Sequence, residues 1–449
     1  MDNLNIKRPR NIVYIVVDCL RPDFIHSLGH KKDITPFIDE LMKEGIYFDY
    51  CFSAGNNTVT AYPSILSSSH PFMFGGYSRF NPERKPIAEI LKKDGFITAG
   101  FHSNPFLVNG TGYERGFDFF CDNITTQKRN KIKRVMDEES KIYKIVYRIY
   151  DFIFGHKKKP YTEAEELTEQ VKNWINENFN SSFFLWVHYM DPHPPFVPPK
   201  RIMNGLIEED IKKSELLNLW KKMEKTPDEI SPLEIELIKK LYECEIRHVD
   251  KEIREIYKLL KEKDIAKDTT FIITADHGIN FKEHNDLTIS PKVYDEAIKV
   301  PLLLKLPNIN KSFIDKRLVS LQDVCPTILD LVGIETPKEY NGIGLVGDRF
   351  NEFVISGTCN KKATGADFNK ENMVVSIRNK NFKYIINNQL QKEEFYDLAI
   401  DREEKDNIIN KNLKECVELK NKLNSWLGTI KSQKTEEEKI KESLGNIKI

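Results

Sequence analysis

The chain has 449 residues and carries 68 Lys and Arg against 68 Asp and Glu, so its formal net charge is zero. This balance argues against a nucleic-acid-binding protein that relies on bulk charge. A hydrophobic fraction of 40% and an aromatic fraction of 11% are typical of a globular protein rather than a disordered one. The seven cysteines are scattered without a CxxC pair, which predicts reduced thiols and a cytoplasmic protein.

The first predicted element is a strand over residues 11–17 (NIVYIVV), a short β-branched run of the kind found in buried parallel sheets. Its apolar run is too short for a signal-peptide core or a membrane span, and no other stretch approaches a span. Asp18 follows directly, and open α/β sheets bind ligands where their strands end. Asp18 is therefore the first candidate site residue.

Residues 56–68 (NNTVTAYPSILSS) form a polar turn followed by small residues that begin a helix. Thr58 or Thr60 can cap this helix, which is the usual role of a threonine before a helix. A hydroxyl at that point also lies at the helix N-terminus, where backbone N–H groups and the helix dipole favour an anion. The stretch by itself leaves both interpretations open.

Strands then alternate with helices along the chain, which predicts an α/β fold with a doubly wound sheet. The further strands are expected over residues 96–101, 183–187, 269–274 and 300–306, and the helices over 35–42, 86–93, 162–179, 232–261 and 325–332. After residue 350, two short strands over 374–377 and 383–386 and a helix over 411–427 predict a small antiparallel subdomain. We therefore divide the chain into a catalytic domain (1–350), a C-terminal subdomain (351–430) and a charged tail (431–449).

Residues 122–160 have a different composition, with a basic run followed by an aromatic-rich amphipathic segment. One interpretation is an exposed helical insertion in the catalytic domain. The other is a lid or membrane-surface helix, which predicts peripheral membrane contact and a lipid-linked or polyanionic glycan substrate.

Polar side chains of the kind that bind ligands stand at four predicted strand ends. They are Asp18, Asn104, His188 with Asp191 and His193, and Asp276 with His277. In a doubly wound sheet these ends converge on one edge. Two aspartates and a histidine can hold a divalent cation, which makes a bound hydroxyl a better nucleophile. A second imidazole can protonate the leaving group.

Seven segments together resemble the sulfatase family of the alkaline phosphatase superfamily. They are NIVYIVVDCLRPD (11–23), GYERGFD (112–118), HYMDPHPP (188–195), TADHG (274–278), YDEAIKVP (294–301), DVCPTILDLVG (323–333) and residues 383–407 with YDL and DREEKDN. The resemblance implies an alkaline-phosphatase-like α/β fold, in which helices flank a central mixed sheet and a small C-terminal antiparallel sheet carries a helix. It also implies an ester hydrolase with a bound metal.

The resemblance carries over to individual residues. Asp18 and Asp276 match metal-ligating aspartates, and His193 matches a histidine on the substrate side of the site. Many members have a second aspartate where this chain has Cys19, and an asparagine where it has His277. These exchanges favour Mn or Zn over Ca. A single divalent metal is expected, because the ten histidines show no obvious second cluster. His284 and Asn104 are further candidates for substrate binding.

The nucleophile can be aligned in two registers. One register matches Thr58 to the family's nucleophile, and the other matches Ala61, which would make the protein inert. We prefer Thr58, because this register keeps the helix length and completes a four-ligand site of Asp18, Thr58, Asp276 and His277. Such a site resembles those of lipoteichoic acid synthases and other threonine-dependent phosphotransferases. No cysteine or serine stands at this position, so no formylglycine is expected.

The sequence thus predicts a metal-dependent hydrolase or transferase that acts on phospho- or sulfo-esters through a covalent Thr58 intermediate. Phosphodiester or phosphonate esters are preferred, because a secondary alcohol cannot become formylglycine. A sulfuric ester hydrolase without formylglycine and an inert binding protein are the alternatives. The expected substrate is a small-molecule, glycan or lipid-linked anionic ester, with no nucleic-acid partner. The sequence leaves the oligomeric state open.

Overall fold

The computed structural model describes residues 7–77, 80–123, 161–208, 211–359, 370–411 and 413–432. Most of the predicted basic insertion (residues 124–160) and of the predicted charged tail (residues 433–449) lies outside the described residues. The predictions for these two segments therefore stay predictions.

A central eight-stranded sheet organises the larger part of the chain, in the order β10-β2-β9-β6-β1-β5-β3-β4. Its strands are β1 (Asn11–Val17), β2 (Ile46–Phe52), β3 (Ile97–Phe101), β4 (Phe119–Cys121), β5 (Phe183–Tyr189), β6 (Thr269–Ala275), β9 (Leu302–Lys305) and β10 (Phe313–Ser320). A separate ribbon pairs β7 (Asn280–Phe281) with β8 (Leu287–Thr288). In the large sheet β9 runs antiparallel to both neighbours and the other pairs are parallel. The predicted doubly wound, mixed sheet is confirmed.

Strand β1 is the centre of this sheet, and all seven of its residues are buried. A strand covered on both faces needs a continuous apolar run, which is what residues 11–17 provide. The parallel register sets Val17 beside Tyr189 of β5 and Ala275 of β6. The ends of these three strands therefore lie level, and the residues that follow them meet at one edge.

Helices flank the sheet in two groups. The first group is α1 (Pro36–Met42), α4 (Ala164–Asn178) and α5 (Lys200–Met203), which contact the long helix α7 (Pro232–Glu262). The second is α2 (Thr58–Ser67), which contacts α3 (Ile87–Lys93) and α9 (Val324–Val332). Two further helices are α6 (Lys213–Lys225) and the short α8 (Asp295–Ile298). None of the helices that the structure describes has both the length and the apolar composition of a membrane span.

The C-terminal part forms a second, four-stranded antiparallel sheet with its own apolar core. Its elements are β11 (Val354–Cys359), β12 (Met373–Arg378), β13 (Phe382–Asn387), β14 (Lys392–Asp397) and the helix α10 (Lys414–Ser432). This confirms the predicted antiparallel sheet with a helix. The predicted boundary at residue 350 stays a prediction.

A buried ion cluster joins the two parts of the chain. Lys383 of β13 is fully buried, and its Nζ lies 2.9 Å from Asp295 Oδ1 and 2.7 Å from Glu404 Oε1. Arg378 of β12 contacts both carboxylate oxygens of Asp295 at 2.7 Å. Because Asp295 opens α8, this cluster links the smaller sheet to the larger domain.

Strands β2 and β10 have no counterpart among the predicted elements. Asp49 interrupts β2, and Asp315, Lys316 and Arg317 interrupt β10. Strand β10 lies at the edge of the sheet, where one side is not covered by a neighbouring strand. Charged residues are common at such positions, and they hide the apolar alternation by which a strand is recognised.

Candidate active site

The level ends of β1 and β6 bring two aspartates together. Asp18 follows β1, and its backbone N–H donates to the Tyr189 carbonyl at 2.8 Å. Asp276 follows β6, and its Oδ1 accepts the backbone N–H groups of Cys19 at 3.2 Å and His277 at 2.9 Å. These two bonds hold the Asp276 carboxylate by one oxygen, and Oδ2 remains for a ligand.

His277 is held in the tautomer that a metal ligand needs. Its Nδ1 lies 2.8 Å from the Gly278 carbonyl oxygen and donates to it, so Nε2 carries the lone pair. Nε2 lies 3.5 Å from Asp276 Oδ2 and 3.7 Å from Asp18 Oδ1. Gly278 has no room for a side chain, because a Cβ there would overlap the Glu296 carbonyl oxygen.

Thr58 is the first residue of α2, and its hydroxyl faces the first aspartate. Its Oγ1 donates to Asp18 Oδ2 at 3.3 Å and accepts from Asn104 Nδ2 at 3.3 Å. The cap of α2 is Asn57, whose side chain accepts the Thr60 N–H at 3.1 Å. The interpretation of Thr58 or Thr60 as the helix cap is therefore wrong, and the Thr58 hydroxyl is available for another role. Ala61 lies one turn further on, fully buried in the main apolar core.

His188 is the penultimate residue of β5, and it was among the ligand-type residues expected at the strand ends, although no role in the site was assigned to it. Its Nε2 lies 3.4 Å from Asp18 Oδ2 and 3.9 Å from Asp276 Oδ2. The ring contacts Tyr62 edge-on and stacks on Trp186. The sequence signal was a second histidine in HYMDPHPP, within a strand that neighbours β1, whereas the family resemblance pointed only to His193.

Cys19 takes a backbone conformation that is unusual for a residue with a side chain, with φ at +63°. Its thiol donates to Asp18 Oδ1 at 3.0 Å, and the Tyr242 hydroxyl donates to its carbonyl at 2.7 Å. These contacts hold the turn after β1 and bring a sulfur atom to the edge of the carboxylate pair.

The two carboxylates influence each other strongly. Burial alone would raise the pKa of Asp18, but the neighbouring His193, His188 and His277 hold it well below its usual value. Burial, together with the charge of Asp18, raises the pKa of Asp276. Oxygen atoms of the two buried carboxylates lie within 4.8 Å of each other. The two groups therefore repel each other when both are ionised, and a bound cation offsets this repulsion.

The donor set fits a divalent metal. Asp276 Oδ2, His277 Nε2 and His188 Nε2 are buried, and none of these atoms has a hydrogen-bond partner among the described residues. The ligand-type atoms of Asp18, His188 and Asp276 form one candidate metal group, and those of Asp18, Cys19 and His277 form another. Buried polar atoms without partners are costly, so their convergence indicates a cation site.

Asn104, His193 and His284 are the remaining predicted site residues, and each has its own contacts. Asn104 contacts Thr58, as described above. His193 affects Asp18 through its charge, and its Nδ1 lies 2.6 Å from the Pro194 carbonyl oxygen. His284 contacts Glu296 Oε1 at 2.5 Å through Nδ1 and the Glu404 carbonyl at 3.1 Å through Nε2. Both nitrogens of His284 are thus engaged near the interface with the C-terminal sheet.

Comparison with known proteins identifies the family. The Sulfatase family model matches residues 10–334, and the model for the C-terminal part of N-sulphoglucosamine sulphohydrolase matches residues 290–433. An arylsulfatase of Clostridium perfringens is 24% identical over 446 residues, which cover 89% of this chain and 90% of that protein. The lipoteichoic acid synthase-like YvgJ of Bacillus subtilis is 20% identical over 400 residues, which cover 80% of this chain but 56% of that protein.

Solved structures share the fold. The phosphonate monoester hydrolase of Agrobacterium radiobacter superposes with a TM-score of 0.72 at 18% identity. The match covers 95% of this chain and 96% of that one. The likeness therefore extends over both sheets.

Proposed function

The chain belongs to the sulfatase family of ester hydrolases, and we propose that it cleaves phosphodiester or phosphonate esters through a covalent intermediate on Thr58. One observation carries the proposal: the Thr58 hydroxyl lies 3.3 Å from Asp18 Oδ2 and 3.3 Å from Asn104 Nδ2. The same hydroxyl opens a ten-residue helix, where the N-terminal dipole favours an anionic ester. These contacts also support Thr58 rather than the buried Ala61 as the nucleophile.

Asp18, Thr58, Asp276 and His277 would hold one divalent cation. Such a cation, when bound, lowers the pKa of a hydroxyl and withdraws charge from the ester oxygens. We propose Mn²⁺ or Zn²⁺ rather than Ca²⁺, because His277 offers nitrogen and Cys19 replaces the second aspartate of many family members. The convergent buried atoms without partners support this site.

The chain's own residues suffice for the rest of the reaction scheme. Thr58 Oγ1 attacks phosphorus and the bond to the ester oxygen breaks, while the Thr58 proton passes to Asp18 Oδ2, its hydrogen-bond acceptor. His193 donates a proton to the leaving oxygen, because its Nδ1 is occupied by Pro194 and only Nε2 can serve the substrate. Water or an acceptor alcohol then attacks the phosphorus of phospho-Thr58 and gives its proton to His193. The bond from phosphorus to Thr58 Oγ1 breaks, and the proton held by Asp18 restores the hydroxyl.

Phosphorus is preferred over sulfur for a chemical reason. Formylglycine hydrate expels sulfate by elimination, whereas a threonine ester has no such route and must be cleaved by displacement. A phospho-threonine can be opened by in-line attack with electrostatic stabilisation. The first alternative is an enzyme that hydrolyses sulfuric esters without formylglycine. The second is a binding protein of the same fold that has no catalytic activity.

The substrate proposal is an anionic ester on a small molecule, a glycan or a lipid. Asn104 and His193 are proposed to contact the transferred group or its leaving oxygen. His284 is proposed as a third substrate residue, and it would have to exchange its contact with Glu296 or with the Glu404 carbonyl for one with the substrate. All seven cysteines are free, which supports a reducing, cytoplasmic location. Peripheral membrane contact through residues 122–160 is proposed from their composition alone.

The test is a comparison of aryl phosphodiester, aryl phosphonate, aryl phosphate and aryl sulfate hydrolysis with Mn²⁺ or Zn²⁺ present. We expect the diester and the phosphonate ester to be the best substrates and Thr58→Ala to abolish turnover. Phospho-Thr58 should appear by mass spectrometry after a rapid acid quench. Faster turnover of the sulfate would overturn the preference for phosphorus, and full activity of Thr58→Ala would exclude the covalent route.

A further inference from the structure

His188 faces the carboxylate pair but has no role in the scheme above. It is fully buried, and neither of its ring nitrogens has a hydrogen-bond partner among the described residues. A buried polar nitrogen without a partner costs about 1–3 kcal/mol. A cation at Nε2 would remove this cost for the nitrogen that faces the carboxylates. An apolar residue of similar size would fill the same space among the aromatic rings without that cost.

The distances from His188 match those between ligands of one small cation. Its Nε2 lies 3.4 Å from Asp18 Oδ2 and 3.9 Å from Asp276 Oδ2. His277 Nε2 approaches the same two carboxylates, 3.5 Å from Asp276 Oδ2 and 3.7 Å from the other Asp18 oxygen, Oδ1. The two histidines therefore belong to two overlapping candidate metal groups that share Asp18. Metal–ligand bonds near 2.0 Å separate tetrahedral ligands by about 3.3 Å. The separations of 3.4 and 3.5 Å match this value closely, whereas those of 3.7 and 3.9 Å are longer, so these ligands would have to move closer around a bound ion.

The aromatic neighbours of His188 hold its ring in this orientation. Tyr62 packs edge-on with ring centroids 5.2 Å apart, and Trp186 stacks with an interplanar angle of 12°. The ring therefore has little freedom to turn Nε2 away from the carboxylates. Because the His188 ring is already ordered, it loses less conformational entropy when it binds an ion.

We propose that His188 is a further metal ligand through Nε2, so that two imidazoles and two carboxylates surround the cation beside Thr58. The proposal rests on the metal-dependent function given above and adds a residue that the family resemblance did not indicate. Two nitrogen ligands shift a site away from Ca²⁺, which prefers six to eight oxygen ligands, and towards Zn²⁺ or Mn²⁺.

Counting imidazoles on the bound ion tests the assignment without a substitution. The full chain is produced with ¹⁵N-labelled histidine, loaded with Mn²⁺ and measured by pulsed electron paramagnetic resonance. We expect hyperfine couplings from two histidine nitrogens. Coupling from a single histidine would overturn the assignment of His188 and leave the proposed function intact, whereas a chain that binds none of the tested metals would overturn both.

A variant pair gives an independent measurement. We expect His188→Asn to remove one of the two couplings and to weaken Zn²⁺ and Mn²⁺ affinity by at least about tenfold in calorimetric titration. His102→Asn is the matched control, because His102 is also buried at a neighbouring strand end and its Nδ1 accepts the Asn104 N–H at 3.1 Å. Unchanged affinity in a folded His188→Asn protein would overturn the proposal.

Discussion

The side chain of Asn57 accepts the backbone N–H of Thr60 at 3.1 Å and so caps the helix that begins with Thr58. Capping and nucleophilic attack are thereby assigned to different residues of one turn. Removing the cap should lower stability, whereas removing the hydroxyl should lower turnover.

We expect Asn57→Ala to lower the free energy of unfolding by about 1 kcal/mol, the usual cost of losing a cap. Thr58→Ala should change stability little but reduce kcat by roughly a thousandfold or more. Urea denaturation and diester turnover measure the two effects. Thr60→Ala is the control, because its hydroxyl contacts only the Asn57 carbonyl among the described hydrogen bonds. A stability loss in Thr58→Ala as large as that in Asn57→Ala would contradict this separation.

Replacing Cys19 by aspartate should change the metal preference. The Cys19 thiol lies 3.0 Å from Asp18 Oδ1, so a carboxylate there adds hard oxygen ligands to the site. We expect Ca²⁺ affinity to rise roughly tenfold relative to Zn²⁺ in calorimetric titrations. Cys19→Ala removes the sulfur without adding oxygen and should give no gain for Ca²⁺. An equal gain in both variants would show that the sulfur, not the missing carboxylate, excludes calcium.

The role of His193 should depend on the leaving group. If its Nε2 protonates the leaving oxygen, His193→Gln should slow esters of alkyl alcohols by roughly a hundredfold or more. Esters of an acidic phenol should be affected much less, because such a leaving group needs no proton. The slope of log kcat against leaving-group pKa measures the difference. An equal loss for both classes would assign His193 to substrate positioning instead.

The buried ion cluster between the two sheets should dominate the stability of their interface. Lys383→Met leaves Glu404 and Asp295 without their shared cation, and the pKa of Glu404 is already raised to about 7 by burial. We expect a loss of about 3–5 kcal/mol in chemical denaturation. The double variant Lys383→Met/Glu404→Gln should recover part of this loss. No recovery would mean that the apolar stem of Lys383, rather than its charge, supports the interface.

His102 should make the protein less stable in acid. Burial, assisted by the charge of His188, lowers its pKa to about 3, whereas an unfolded histidine titrates near 6.5. A lowered folded pKa means that the stability present above pH 6.5 is lost as the pH falls from 6.5 towards 3. Between pH 7 and pH 5 we expect this residue to account for about 2 kcal/mol of the loss. The loss should be smaller in His102→Gln, as measured by urea denaturation at both values, and an unchanged pH dependence would contradict the assignment.

The sequence by itself determined the strands whose character is local. A continuous apolar run such as residues 11–17 specifies a buried strand, because its side chains point to both faces of the sheet and both faces must be covered by helices. The resemblance of the chain's motifs to the sulfatase family also indicated Asp18, Thr58, Asp276 and His277 as a set. Strands β2 and β10 were not predicted, because their charged residues interrupt the apolar pattern.

Tertiary structure decided which of these residues meet. Asp18 and Asp276 are 258 positions apart in the chain, and only the register of Val17 with Ala275 brings them level. The register of Val16 with His188 in the neighbouring β5 likewise directs the His188 ring towards both carboxylates, whereas the sequence only placed this histidine among the polar residues at the strand ends. Strand order and register depend on the packing of the whole sheet, and no local pattern in the sequence encodes them. The contact of the Thr58 hydroxyl with Asp18 therefore depends on the packing of the whole sheet. Its position at the start of a helix, in contrast, was predicted from residues 56–68 alone.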